Sequence, residues 1–390
     1  MNMSKKKWMM YGGIVAAIIV TAIAAPAMAD DVSDMQKRLD RAEARIAELT
    51  RNENSSWIDE QRAAETKRMV REVLADSEYR TSMMKSDAPL TLNLNGFAIS
   101  RWNYNDGGGS VQNNEFSIPY ARLEFSGRIL DKVDYVVSGE FSDYTTGSFE
   151  LVDAYFTMGL GSGFDLQVGQ FVTSFYDGYT DSPLDQVAGE YSVLATTFGQ
   201  GRSQGLEVSR DFGFLDLSAS YNDGFNSNNA FIGNDDYGLS VRADLDFGSG
   251  FHGGVAYAYQ NEVEDYGSFT ADLGYTNGGW DVGISYVAAD YATGGYGENY
   301  GINAMVGYQC LENLQGFVQY QHGKLGVAAS DLNIVEVGVN YDIVKGVRWN
   351  TTFGYALDAV DGGWDLARSG WSSGDSDGQY LLRTQVSVSF

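Results

Sequence analysis

Acidic residues and arginines are the side chains of this sequence that could act on a solute. The stretch 173–201 holds no Lys or Arg and carries four acidic residues: Asp177, Asp181, Asp185 and Glu190. Six arginines fall on the polar side of segments in which apolar and polar residues alternate: Arg101, Arg122, Arg128, Arg242, Arg348 and Arg383. Fixed charges that face a passage attract ions of one sign and repel the other, so both groups could select solutes. The arginines could instead pair with nearby carboxylates and brace the structure, and the sequence leaves both interpretations open.

Catalytic or metal chemistry has little support in this sequence. One Cys and two His exclude a disulfide framework and a cysteine-based zinc cluster. The two histidines, His252 and His322, stand in no motif that would pair a nucleophile with a base. The net charge of −26 argues against nucleic-acid binding, because phosphates require a positive surface. We therefore predict no enzyme activity, no metal and no cofactor.

The first 29 residues have the pattern of a secretory signal peptide. Lys5, Lys6 and Lys7 precede an apolar stretch, and Ala27-Met28-Ala29 fits a small-residue cleavage site. An uncleaved membrane anchor is the alternative, but the apolar stretch is short for the roughly 20 residues that a spanning helix needs. The sequence therefore predicts export, with a mature chain that begins at Asp30.

Residues 30–88 are predicted to form a periplasmic helical arm. Apolar residues recur there at spacings of three and four, which is typical of a coiled-coil seam. The seam consists of Val32, Met35, Leu39, Ala42, Ile46 and Leu49. A short coiled coil between protomers is favoured over a solvated linker helix, because a largely polar helix has no other way to bury its apolar stripe.

From residue 89 onward the period of the pattern changes to two, which is typical of β-strands. Tyr380, Leu382 and Val386 alternate with polar residues up to Phe390, and sixteen such segments can be counted, among them residues 133–145 and 164–172. Short and long connections alternate between them, and a β-structure in lipid must close so that every backbone polar group is paired. We predict an all-β fold: a sixteen-stranded antiparallel transmembrane β-barrel over residues 89–390, apolar outside and wet inside, in contact with outer-membrane lipids. A soluble β-sandwich or propeller is disfavoured, because no blade-length repeat is evident.

The stretch 173–201 is the longest connection between predicted strands. A connection of this length is usually functional. We expect it to fold into the lumen and line a pore constriction with its carboxylates, although an external lid or a contact to another protomer is possible. Residues 90–390 hold 12 basic and 38 acidic side chains. This excess of negative charge predicts a preference for cations.

Three motifs between residues 115 and 210 resemble the phosphate-selective porin O and P family. They are Tyr120-Ala-Arg-Leu-Glu-Phe-Ser-Gly127, Phe149-Glu-Leu-Val-Asp-Ala-Tyr155 and Val168-Gly-Gln-Phe171, followed by the long connection. The resemblance implies a sixteen-stranded trimeric barrel, passive uptake of small solutes and a third external loop that folds inward. The family's phosphate specificity rests on a ladder of Arg and Lys, but this barrel has only Lys132, Lys324 and Lys345. Phosphate selectivity is therefore not carried over. The terminal Phe390 resembles the signal that the outer-membrane barrel assembly machinery recognises.

Two functions remain open from the sequence. The first is an outer-membrane porin for passive diffusion of small hydrophilic solutes and ions. The second is a structural tether, in which the barrel only anchors an arm that contacts the periplasm or the cell wall. Ion conductance distinguishes them, because a plugged tether passes no current.

Overall fold

The computed structural model describes residues 91–106, 113–143, 145, 147–225, 236–261, 266–292, 295–326, 330–360, 362–374 and 377–390. The predicted signal peptide and the predicted arm with its seam, from Val32 to Leu49, lie outside these residues. Within the described ranges, no helix is long and apolar enough to cross a membrane.

The described residues form sixteen β-strands. They are β1 (Asn93–Asn105), β2 (Asn113–Ile129), β3 (Val133–Glu140), β4 (Glu150–Gly161), β5 (Phe164–Val172), β6 (Arg202–Asp211), β7 (Leu215–Asn222), β8 (Tyr237–Gly248), β9 (Phe251–Asn261), β10 (Tyr266–Asn277), β11 (Trp280–Ala292), β12 (Gly295–Leu311), β13 (Leu314–Leu325), β14 (Ser330–Val344), β15 (Val347–Ala356) and β16 (Tyr380–Ser389). Each strand pairs with the next, and β16 pairs with β1, so the sheet is a closed barrel. All sixteen pairings are antiparallel, which confirms the predicted barrel.

The seam between the first and last strands shows how the pattern of the sequence becomes a wall. Arg383 and Gln385 lie opposite Asn103 and Arg101, and all four side chains are buried inside the barrel. Val386 lies on the other face of β16 and is exposed on the outer surface of the barrel. The backbone of the last residue also pairs with β1, because Phe390 N donates to Gly96 O at 3.1 Å. No strand edge is left open at this seam, as a hydrocarbon environment requires.

Short turns join the strands at one rim. Between β10 and β11, Gly278 and Gly279 have φ angles of 59° and 85°, and Asn277 lies opposite Trp280. A two-residue hairpin turn with positive φ at both central positions matches the twist of paired strands, and only glycine adopts this conformation without strain. The turn therefore fixes the register of β10 and β11.

The interior of the barrel is not uniformly wet, in contrast to the expectation from the sequence. The two longest connections, loop A (residues 173–201) and loop B (residues 357–379), bury apolar side chains against the inner wall. Loop A contains two short helices, α1 (Asp177–Thr180) and α2 (Val193–Phe198). The wall contributes small or apolar inward residues from β9, β11 and β13 to β16: Ala256, Ala258, Val287, Ala289, Leu325, Leu332, Ile334, Ala356 and Leu381. Together they form an apolar core inside the lumen.

Candidate functional site

The first part of loop A is attached to the wall by its backbone. Arg242 Nη1 and Thr270 Oγ1 both donate to Phe175 O, at 3.0 and 2.9 Å. The hydroxyls of Tyr176 and Ser285 are 2.9 Å apart. Arg242 is itself held by Asp244 and Asp272 on the wall. The start of loop A is therefore fixed to inward residues of β8, β10 and β11.

The later part of loop A is attached at the seam of β1 and β16. Arg383 Nη2 donates to Ala188 O at 3.0 Å, and Gln385 Nε2 donates to Gly189 O at 2.6 Å. Glu190 accepts from Arg101 Nη2 at 2.5 Å and from Tyr120 OH at 2.7 Å. Arg101 and Glu190 are almost fully buried, so this ion pair has little access to water. Loop A thus crosses the lumen with both parts attached to the wall.

Helix α2 follows these attachments in the chain and packs into the apolar core. The hydroxyl of Ser192 accepts from Ala195 N at 3.0 Å and caps the helix. Val193, Leu194 and Phe198 are buried, and α2 contacts β11, β12 and β13. The apolar residues of α2, which no aqueous passage needs, therefore add to the polar attachments that hold loop A inside the barrel.

Loop B is attached at the same seam of β1 and β16. Arg101 Nη1 donates to Arg368 O, and Arg383 Nη1 donates to Ser369 O at 2.6 Å. Trp364 Nε1 donates to Ser330 Oγ at 2.9 Å, and Trp371 Nε1 donates to Glu336 Oε1 at 3.1 Å. The same two wall arginines therefore hold both loops.

The two loops also bind each other. Thr196 Oγ1 donates to Asp365 O at 2.8 Å, and Asp365 N donates to Thr197 Oγ1 at 3.0 Å. The rings of Phe198 and Trp364 meet edge to face, with centroids 6.2 Å apart. Loops A and B thus form one packed unit over part of the lumen.

A polar cavity of about 210 Å³ remains between this unit and the wall of β2, β3 and β4. Its positive lining consists of Arg122, Arg202 and Arg368, and its negative lining consists of Glu140, Glu150 and Asp365. Tyr179 and Tyr191 of loop A also line it, with ring centroids 5.2 Å apart. This cavity is the candidate functional site.

Ion pairs hold the charged groups of the cavity in place. Glu140 accepts from Arg122 Nη2 at 3.2 Å and from Arg368 Nη2 at 2.6 Å. Arg202 Nε donates to Asp153 Oδ1 at 2.8 Å. Carboxylates therefore offset much of the positive charge of the three arginines.

The four predicted carboxylates of loop A have different surroundings. Asp177 is half exposed, with one carboxylate oxygen 3.7 Å from Arg242 Nη2, and Asp181 and Asp185 are exposed. Loss of water inside the barrel and the nearby charge of Asp272 raise the pKa of Asp177 to about 6. Loss of water and the charge of Asp185 raise the pKa of Asp181 as well. Glu190 is different, because it is buried in its pair with Arg101 and presents no charge to the lumen.

The six predicted arginines also separate into groups. Arg101, Arg242 and Arg383 are buried beneath the loops and hold their backbones or side chains. Arg122 lines the cavity. Arg128 and Arg348 pair with Asp134 and Asp342 close to short turns, at 2.7 and 2.6 Å. In the structure each of the six has a carboxylate within 4 Å, as the bracing interpretation expects.

Of the six charged residues that line the cavity, reasoning from the sequence named only Arg122 as a site residue. Arg202 is the first residue of β6, and Arg368 and Asp365 belong to loop B. The apolar content of loop B could have indicated that it folds inward, because Trp364 and Trp371 are costly to leave exposed on a long connection. No comparable signal marked Arg202.

A closed barrel of sixteen antiparallel strands with a long loop attached inside it defines the porin class of outer-membrane channel. Residues 91–276 match the family described as phosphate-selective porin O and P, which confirms the predicted resemblance. No curated protein matches the chain.

Solved structures with the same fold include three outer-membrane proteins. An anion-selective porin from Comamonas acidovorans aligns with a TM-score of 0.59 and 14% identity, over 77% of this chain and 100% of that chain. OmpT of Vibrio cholerae, in a trimer form, aligns with a TM-score of 0.57 and 13% identity, over 77% and 99% of the two chains. The outer membrane channel DcaP of Acinetobacter baumannii aligns with a TM-score of 0.55 and 15% identity, over 78% and 99%. At these identities the likeness concerns the fold alone.

Proposed function

We propose that the protein is an outer-membrane porin through which small hydrophilic solutes and ions diffuse passively. The observation that carries this proposal is the charged cavity between the loop unit and β2, β3 and β4, inside a closed barrel. Charged and hydroxyl groups of the wall replace part of the hydration of a passing solute, while the apolar core closes the other side of the lumen.

We propose further that the pore prefers cations. Glu140 and Asp153 offset the charge of Arg122, Arg202 and Arg368, and the cavity also contains Glu150 and Asp365. On loop A, the exposed residues Asp177, Asp181 and Asp185 add negative charge, which Arg242 offsets in part at Asp177. Fixed negative charge in an aqueous passage raises the local concentration of cations.

Anion preference is the competing possibility, and specific observations favour it. Three guanidinium groups converge on the cavity, and Arg122 Nε is a buried donor without a hydrogen-bond partner among the described residues. The matching family is described as phosphate-selective, and the Comamonas acidovorans porin of the same fold is described as anion-selective.

The reversal potential of the purified protein in planar bilayers under a KCl gradient decides between these possibilities. We expect potassium to be more permeant than chloride, and we expect replacement of Asp177, Asp181 and Asp185 by Asn to reduce that preference. Asp131→Asn, in the exposed turn after β2, is the matched control and should change nothing. A preference for chloride in the unaltered protein would refute cation selectivity, and absence of any current would refute the pore.

We also propose that the protein is a homotrimer and that the coiled-coil seam from Val32 to Leu49 helps to hold its protomers together. We propose further that Phe390 is the signal that the assembly machinery recognises. The trimer form of OmpT supports the oligomeric state by analogy of fold. The mass of the protein in detergent, with and without residues 30–88, tests the seam: a smaller oligomer in the shortened chain is expected, and an unchanged trimer would make the arm dispensable. Phe390→Ala should lower the amount of protein inserted in the outer membrane.

A further inference from the structure

Loop B is built into the lumen as firmly as loop A. Its Trp364 and Trp371 side chains are buried in the apolar core, and each indole N–H donates to an inward residue of the wall. Both of its neighbours at the seam, Arg101 and Arg383, donate to consecutive carbonyl groups of the loop. A loop held by charged donors and buried rings has a defined position, so the residue at its tip has a defined position as well.

Arg368 is that residue. Its carbonyl accepts from Arg101, and its backbone has a φ of 64°, a left-handed conformation that side-chain-bearing residues rarely adopt. Residues held in such a conformation cluster at sites of function, where the surrounding contacts compensate for the strain. Arg368 therefore occupies a position at which glycine would be the default and a long cationic side chain is present instead.

The side chain of Arg368 extends from the loop unit to the opposite wall of the cavity. Its Nη2 donates to Glu140 Oε1 at 2.6 Å, and its guanidinium carbon lies 4.5 Å from the ring centroid of Tyr120. It lines the same cavity as Arg122 and Arg202, and about a quarter of the side chain remains exposed. It thus spans the space that a solute has to pass.

We propose that loop B is a second constriction of the pore and that Arg368 is its specificity-determining residue, placing a positive charge against Glu140 in the cavity. This inference rests on the proposed function, because it assumes that solutes pass through this cavity. The balance of charge there depends on both members of the pair: removal of Arg368 leaves Glu140 less compensated, and removal of Glu140 leaves Arg368 and Arg122 less compensated.

Two substitutions that break the same ion pair separate this role from simple bracing. Arg368→Gln should raise the permeability ratio of potassium to chloride, and Glu140→Gln should lower it. A unit charge about 7 Å from a passing ion in water changes the energy of that ion by about RT. The change has opposite sign for potassium and chloride, so each shift of their permeability ratio should be roughly sevenfold. If the pair only braces loop B, both substitutions loosen the loop in the same way, and the two ratios should move in the same direction.

Arg368→Lys provides the conservative variant, because it keeps the charge and loses the paired geometry of the guanidinium. We expect it to retain the selectivity of the unaltered protein. Arg348→Gln, which breaks an ion pair near a short turn and away from the cavity, is the matched control. Insertion of each variant is checked by its heat-resistant migration on gels and its β-type circular dichroism.

Opposite shifts for Arg368→Gln and Glu140→Gln, with little change for Arg368→Lys and Arg348→Gln, would support the inference. Shifts of equal sign, or a selectivity that Arg368→Gln leaves unchanged in a conducting barrel, would overturn it while leaving the pore intact. An unaltered protein that passes no current would instead remove the proposed function, and this inference with it.

Discussion

The two halves of the lumen are built on the same strand pattern and differ in their inward residues. On the side of β9, β11 and β13 to β16, these residues include an apolar cluster, and loops A and B pack on it as in the core of a soluble domain. On the side of β2, β3 and β4, the lining includes Arg122, Glu140 and Glu150, and the space remains open as the cavity. The position of the passage is therefore decided by which part of the inner wall can bury a loop.

Ion pairs in the two halves of the lumen differ in their exposure to water. The pair of Arg101 and Glu190 lies under the packed loops, and only 1% of each side chain is exposed. The pair of Arg122 and Glu140 borders the cavity, and 14% of the Arg122 side chain is exposed. A buried pair is costly to break, because one charge stays in a dry site, whereas a hydrated charge remains available to solutes. The first kind of pair positions the loops, and the second kind faces the passage.

The largest effect is expected from Glu190→Ala, which should remove the difference between the packed half and the open half of the lumen. It leaves the Arg101 guanidinium buried without its carboxylate, at a cost of about 3–5 kcal/mol. Loop A should detach from the seam, which lowers the urea midpoint of unfolding and raises single-channel conductance. Arg348→Gln, which breaks a partly exposed pair, should leave both measurements unchanged. Equal changes in the two variants would contradict the assignment of Glu190 to the anchoring of loop A.

A smaller effect is expected from Leu194→Ala, which opens a void in the packed half. Leu194 is fully buried in α2, and truncation of a buried leucine costs about 2–5 kcal/mol. Because loop A is also held at both ends, we expect it to loosen without leaving the lumen, so that current noise and protease cleavage increase more than mean conductance. Leu273→Ala on the outer face of β10 is the matched control. Leu194 would not belong to the holding core if its variant behaved like this control.

The sequence was sufficient to predict the wall, because alternation depends on neighbouring residues. All sixteen strands were found, and β5 was predicted with the bounds that the structure has, residues 164–172. The prediction failed where a strand meets a loop: β3 was extended to residue 145 but ends at Glu140, because the chain turns there. Periodicity reports which side a residue faces, and it becomes ambiguous where the polar pattern continues into a turn.

The interior could not be predicted in the same way, because its contacts join distant parts of the chain. Arg101 contacts Glu190 and Arg368, which are 89 and 267 positions away. Alternation placed Arg101, Arg242 and Arg383 on the inner face but could not reveal that loops cover them. The prediction that loop A folds inward was drawn from its length and acidic residues, whereas the attachment comes from its buried apolar residues and from wall side chains that bind its backbone and Glu190. The same criterion, applied to Trp364 and Trp371, would have predicted loop B.

The smallest effect on selectivity is expected from a change of pH. It would sharpen the comparison between the two halves of the lumen, because only the wet part is expected to titrate. The pKa of Asp177 is raised to about 6, so its carboxyl group is ionised at pH 8 and mostly protonated at pH 5. Acidification should therefore remove a negative charge from the passage and lower the permeability ratio of potassium to chloride, with a midpoint near pH 6. Asp177→Asn should abolish that step, whereas Asp131→Asn in an exposed turn should preserve it. If Asp177→Asn kept the transition near pH 6, the titrating group would have to lie elsewhere, and loop A would contribute to selectivity through its position alone.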